Sequence, residues 1–144
     1  MVPEPKSPRA SSPERSRIMR AVKQFDTAPE RALHEALTQL GLSFEKNQRD
    51  LPGSPDIVFP KEKVAIFVHG CFWHQHQGCR LATMPKSNKE YWEKKFVANK
   101  IRDDKKVKAL KDMGWEVHIV WQCTIEYDAS KVASELKTVL ESKN

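Results

Sequence analysis

A chain of 144 residues with 25 Lys plus Arg against 19 Asp plus Glu (net charge +6), 39% hydrophobic residues and mean hydropathy −0.66 is sized for one well-solvated domain. No apolar run reaches the roughly 18 residues of a membrane span, and the Pro- and Ser-rich start lacks the apolar stretch of a secretory signal, so a cytoplasmic protein without membrane association is expected. The positive balance favours a polyanionic partner without identifying one, while three cysteines, an odd number, argue against a disulfide framework and leave free thiols or metal ligands.

Residues 1–15 combine prolines, serines and charges with little apolar content, so burial cannot offset the entropy of ordering them. They are expected to form a flexible arm ahead of a single domain spanning 16–144. Ser16-Arg17-Ile18-Met19-Arg20 is a basic segment that reads equally well as a solvated helix start or as a contact for a phosphate backbone. Asp26-Thr27-Ala28-Pro29-Glu30 supplies a capping side chain, a proline near the first helical position and an acid in the first turn, which together announce a helix. Leu33, Ala36, Leu37 and Leu40 mark its apolar face, and Gly41 is its stop. Leu42-Ser43-Phe44-Glu45 alternates like a short strand, and Leu51-Pro52-Gly53-Ser54-Pro55 is turn chemistry. Asp56–Phe59 and Val64–Val68, separated by a short charged turn, predict a hairpin within a sheet. A long charged helix over 88–112 ends at Gly114. The strand Glu116–Trp121 follows, then a helix from about 128 to 142. The order α-β-β-β-α-β-α predicts an α/β domain, a mixed sheet covered by helices.

Cys71, His76 and Cys79 lie within nine residues, and Cys123 follows the last predicted strand, so a Cys3His set is available for tetrahedral zinc. The remote fourth ligand would tie the loop to the end of the sheet, a stabilising role. Separate buried or free thiols are the competing reading, and His74 competes with His76 for the histidine place. His76 is preferred, because it completes a closed site and leaves His74, beside Trp73, for chemistry.

Phosphodiester hydrolysis needs a divalent ion, an activated water and help for the leaving oxygen. Asp56, opening a buried strand after a proline turn, is a rigid seat for Mg2+, although a turn-capping Asp has the same appearance. The hairpin would carry Val68 and His69 beside Asp56 and deliver the cysteine-rich loop to the same place. With an ordinary pKa of about 6.5, His69 can serve as base or acid, or be a satisfied structural histidine. On the long helix, Trp92, Phe96, Asn99, Asp103, Val107 and Leu110 share one face. Asn99 and Asp103 interrupt that apolar stripe, so they either support the site by orienting a histidine or mark a wetter stretch of helix.

Met19-Arg20-Ala21, Asp26-Thr27-Ala28, Leu51-Pro52-Gly53-x-Pro55-Asp56, Phe67-x-His69-Gly70-Cys71-Phe72-Trp73-His74 and Trp121-x-Cys123 together resemble the very short patch repair (Vsr) family of DNA mismatch endonucleases, from about Met19 to Cys123. The resemblance implies a variant of the PD-(D/E)xK restriction-endonuclease-like fold in which Phe67-Val68-His69 replaces the usual acid-x-lysine. It makes Asp56 the Mg2+ carboxylate, with the Val68 backbone carbonyl as a further ligand. His69 then activates water, assisted by Glu30 and His74. Valine at 68 removes a side-chain oxygen that family members often carry nearby. The family's structural zinc corresponds to Cys71, His76, Cys79 and Cys123, with one extra residue within Gln77-Gly78. Implied too are a T:G mismatch from deaminated 5-methylcytosine as target and a nick on the 5′ side of the thymine. Phe72, Trp73 and Trp92 match positions of aromatic wedges, with Met19 entering from the other groove and Arg20 beside it. Wedging discriminates physically, because a mismatched step is cheaper to unstack. Trp115 and Trp121 read as core filling. The expected partner is double-stranded DNA with a T:G mismatch, then downstream repair proteins, and the expected state is a monomer.

Overall fold

The computed structural model describes residues 27–143. The expected arm at 1–15 and the DNA-contact candidates Met19 and Arg20 fall outside the described residues. Helix α1 spans Ala28–Gln39; its first turn is closed by Thr27, whose hydroxyl accepts the Glu30 amide at 3.4 Å, and proline occupies the start, where no helical N–H is needed. Strands β1 (Glu45–Lys46), β2 (Ile57–Phe59) and β3 (Val64–His69) follow, then helix α2 (Lys89–Asp112), strand β4 (Glu116–Trp121) and helix α3 (Gln122–Glu141).

The sheet order is β1-β2-β3-β4, with β1–β2 and β2–β3 antiparallel and β3–β4 parallel across the α2 crossover. The expected hairpin and mixed sheet are therefore present. The strand expected at 42–45 instead starts at Glu45 and lasts two residues. Leu42 and Phe44 pack sideways against the core, and β1 pairs only through Glu45 and Lys46.

Side chains alternate between the two faces of each strand, and this divides the core. Ile57, Phe59, Val64, Ile66 and Val120 face one way and meet Leu33, Ala36 and Leu37 of α1 and Ile125, Val132, Ala133, Leu136 and Leu140 of α3. Val58, Ala65 and Phe67 face the other way and meet Leu110 of α2, with Leu51, Trp115 and Val117 at the margin. Each fully buried leucine here, such as Leu33, Leu37 and Leu110, contributes roughly 1.5–3 kcal/mol relative to exposure.

The last helix begins earlier than its sequence pattern predicts. Residues 122–127 already coil, the backbone breaks at Asp128 (φ −161°, ψ 89°), and the Asp128 carboxylate then caps the longer segment by accepting the Lys131 amide at 3.0 Å. Asp128 looks like a helix start because it is one. The preceding turn, with few apolar residues, is held by the anchoring of Gln122 and Cys123 to the loop after β3.

Candidate active site and metal centre

Two-residue alternation puts Asp56 on the same face as Val58, His69 on that of Ala65 and Phe67, and Trp121 on that of Val117, so all three project from the α2 side of the sheet. Antiparallel β2 starts where parallel β3 and β4 end, which gathers these residues at one rim. The Asp56 amide donates to the Ile66 carbonyl at 3.0 Å, and the Asp56 Oδ2 accepts the Val68 amide at 2.7 Å. The carboxylate is thus fixed beside the Val68 peptide, while the Val68 side chain turns to the opposite core.

Glu30, from the first turn of α1, is fully buried and close enough for its charge to act on Asp56. Burial, then Glu30, push the Asp56 carboxyl up to about 7, against the Val68 amide and the Lys106 charge, which lower it. Two buried acids that raise each other's cost of ionisation form a site that a divalent cation would relieve, and oxygen donors suit a hard ion such as Mg2+.

His69 and His74 stack face to face, centroids 3.8 Å apart and planes 7° from parallel. Asp103 of α2 spans the pair, with Oδ2 2.5 Å from His74 Nδ1 and Oδ1 4.0 Å from His69 Nε2. Burial pushes His69 down to about 3, helped by the charges of His74 and Lys106 and opposed by Asp103, so the ring is neutral at physiological pH. Burial works against the Asp103 charge, but the His74 hydrogen bond and the positive groups around it hold that carboxyl below the ordinary range. Donor atoms of these three residues lie within 4.8 Å of one another. Two imidazoles and a carboxylate are thus brought together in one cluster at the rim.

Beside it, Cys71, His76, Cys79 and Cys123 bring four ligand atoms within 4.8 Å of one another. His76 Nδ1 is 3.7 Å from the Cys71 sulfur and 3.4 Å from the Cys123 sulfur. A zinc tetrahedron with bonds of about 2.0 Å to nitrogen and 2.3 Å to sulfur needs nitrogen–sulfur edges of roughly 3.5 Å, which the two His76–sulfur distances match. Burial pushes the Cys71 thiol up to about 12, and hence a thiolate at that position calls for a bound cation. It is His76 that joins the sulfurs, while His74 turns to Asp103. Gly78, with φ of +74°, lets the chain turn back ahead of Cys79, which lies within the cluster. The Cys71 amide donates to the Gln122 Oε1 at 3.2 Å and the Cys123 amide to the Cys71 sulfur at 3.4 Å, further tying the two loops.

Phe72, Trp73, Trp92 and Phe96 form an aromatic cluster, with Phe72 5.6 Å from Trp92 and 5.4 Å from Phe96, and Trp73 6.0 Å from Trp92. Trp92 is buried within it, whereas Phe72 and Trp73 are half-exposed at its edge. Asn99 donates to the Trp73 carbonyl at 3.0 Å, and the Lys95 ammonium lies 5.3 Å from the centre of the Trp73 ring. Sequence reasoning overlooked Lys95, which interrupts the apolar stripe of α2 from inside. It also overlooked Lys106, one turn beyond Asp103, whose stem crosses Gly53 and whose charge is felt at Asp56, His69 and Asp103. The i, i+3 spacing from Asp103 was the available signal. Trp121 does not fill the core as its apolar neighbours imply. Its indole stacks on His76 at 4.0 Å, 6° from parallel, and stands 5.2 Å from His69 at 81°.

Comparison with known proteins places these features in context. The family described as "DNA mismatch endonuclease Vsr" matches residues 10–80. The chain is 45% identical over 131 residues to the type II nicking enzyme V.XorIIP of Xanthomonas oryzae pv. oryzae, covering 90% of this chain and 95% of the relative. It is 42% identical over 111 residues to the DNA mismatch endonuclease Vsr of Escherichia coli K12, covering 77% and 70%. It is 36% identical to the type II nicking enzyme V.NmeAIP of Neisseria meningitidis, covering 80% and 81%.

Proposed function

The chain belongs to the Vsr family of DNA mismatch endonucleases and is a DNA-cleaving hydrolase that nicks, and from this premise we propose that it cuts one strand of a duplex at a T:G mismatch, on the 5′ side of the thymine. The mismatch is the product of 5-methylcytosine deamination, so the nick would open very short patch repair for downstream repair proteins. The observation that carries the reading is the buried pair Asp56 and Glu30 beside the neutral His69.

Asp56 and the backbone carbonyl of Val68 would hold Mg2+, with Glu30 assisting beside them. When bound, that ion supplies charge neutralisation for the phosphate and lowers the pKa of water. His69, neutral and at the strand end, accepts the proton of the attacking water. The DNA phosphates bring negative charge to the rim, which raises the proton affinity of His69 when substrate is seated. The water oxygen bonds to phosphorus, one P–O bond breaks, and the departing oxygen takes a proton. His74, oriented by Asp103, is the adjacent donor for it. The Cys3His cluster is assigned to structural zinc, clamping the loop after β3 to the start of α3. The half-exposed edge of Phe72 and Trp73, backed by Trp92, supports the wedge role, with Met19 and Arg20 on the opposite side of the DNA. We read the β2–β3–β4 arrangement with its acid on β2 as a PD-(D/E)xK variant lacking the lysine. Among the described residues no helix is long and apolar enough to cross a membrane, and a cytoplasmic monomer acting on double-stranded DNA fits the proposed role.

The test is nicking of T:G and matched duplexes with and without Mg2+. The parent is expected to nick the T:G strand alone, and only with the ion. Asp56→Ala and His69→Ala should lose at least ~10²-fold in rate while retaining DNA binding. Equal cutting of matched duplexes would overturn the mismatch reading, and a full-rate Asp56→Ala protein would overturn the mechanism.

A further inference from the structure

Among the described residues, Trp121 is the one side chain whose ring contacts run to both the Cys3His cluster and the histidine stack. The rings form a continuous series: His74 lies parallel to His69 at 3.8 Å, His69 stands edge-on to Trp121 at 5.2 Å, and Trp121 lies parallel to His76 at 4.0 Å. The backbone repeats this connection. His69 and Trp121 are register partners at the ends of parallel β3 and β4, and the ligands Cys71 and Cys123 each follow two residues later. A metal held by both cysteines would pin the two strand ends whose side chains face each other. The indole then fills the space between the pinned ends, one face against His76 and the other contact limiting the rotation of His69. His69 also stacks on His74, which lies at about a right angle to the Trp121 contact and whose own orientation is set by Asp103. Without the indole the imidazole keeps its stack on His74 and its contact with Phe67 but loses the edge contact that limits its turning in the plane of that stack.

We propose that Trp121 is a positioning residue, holding the His69 ring in its working orientation and making that orientation depend on the integrity of the Cys3His centre. This rests on the reading of His69 as the group that activates water. Residues that orient a functional group from behind commonly change activity by about 10- to 100-fold when altered, and a displacement of about 1 Å can cost on the order of 100-fold.

The test compares Trp121→Phe and Trp121→Leu with the parent full-length protein. Three quantities are measured: bound zinc, the single-turnover nicking rate on a T:G duplex at saturating protein, and the NMR signals of the His69 ring. Phenylalanine keeps a flat ring and should stay within about fivefold of the parent rate. Leucine keeps apolar volume but not the stack, and should slow nicking by roughly 20- to 100-fold, with about one zinc per chain and unchanged DNA affinity. In the leucine variant the His69 ring signals should broaden or shift, while in the phenylalanine variant they should stay sharp. A leucine variant that nicks like the parent, or whose His69 signals are unaltered, overturns the proposal. Loss of zinc in step with loss of rate overturns it too, since Trp121 would then serve only the metal site. The NMR comparison does not depend on nicking, so a failure of the His69 mechanism itself would appear separately, as full activity in His69→Ala.

Discussion

Replacing Asp56 by asparagine is expected to make the magnesium-free protein more stable, by an amount that grows with pH. Burial and the Glu30 charge raise the Asp56 carboxyl from its ordinary 3.8 to about 7 in the folded chain. In the unfolded chain the group ionises near its ordinary value. The folded state therefore holds the proton more tightly, and stability that is present below about pH 4 is lost as pH rises towards 7. Fully developed, the loss is about 4 kcal/mol, at about 1.4 kcal/mol for each pH unit between 3.8 and 7. Between pH 5 and pH 8 it grows by roughly 2–3 kcal/mol. Asparagine keeps an oxygen to accept the Val68 amide, held at 2.7 Å by Asp56, and never ionises. For a domain of this size each kcal/mol moves Tm by about 3–5 °C, so the advantage of the variant should be roughly 10 °C larger at pH 8 than at pH 5. Thermal unfolding followed by circular dichroism in magnesium-free buffer measures it, and added magnesium should close the gap by stabilising the parent alone. A variant whose advantage is the same at both pH values would refute the reasoning, because the penalty would then not come from ionising Asp56.

Asp103→Asn removes the charge that orients His74 and faces His69, and is expected to slow single-turnover nicking by about 10²-fold with little change in DNA affinity; a rate within threefold of the parent would dismiss that role. Cys123→Ala should abolish zinc binding and lower Tm substantially, since the affinity of a structural metal is also folding energy; unchanged metal content would show that the remaining three donors suffice. Gly53→Ala should destabilise the fold by about 1–3 kcal/mol, because φ is +76° there and a Cβ would come within 2.5 Å of the Lys106 stem. Denaturant titration decides it, and an alanine variant as stable as the parent would mean that this loop and α2 move apart freely.

What could be read in the sequence was whatever depends on near neighbours in the chain. Thr27, Pro29 and Glu30 start a helix through local hydrogen bonding and a preset φ, and the continuous apolar run Val64–Val68 after a charged turn makes a strand buried on both faces. The Cys71-x4-His76-x2-Cys79 spacing pointed to a cluster of candidate metal ligands, which the fold brings together with Cys123, and the motifs around Asp56 and His69 pointed to the family. Tertiary structure decided what depends on partners distant in the chain. His74 and His76 carry the same chemistry two residues apart, and only the turn geometry of the loop sends one to Asp103 and the other to the sulfurs. Lys106 becomes part of the rim because α2 lies across Gly53. Trp121 looked like core because its neighbours are apolar, yet the parallel register of β3 and β4 sets it between His76 and His69. Local propensities act through bonds a few residues long, whereas the acidity of Asp56 and the orientation of His69 arise from burial and contacts that exist only after the sheet and helices have packed.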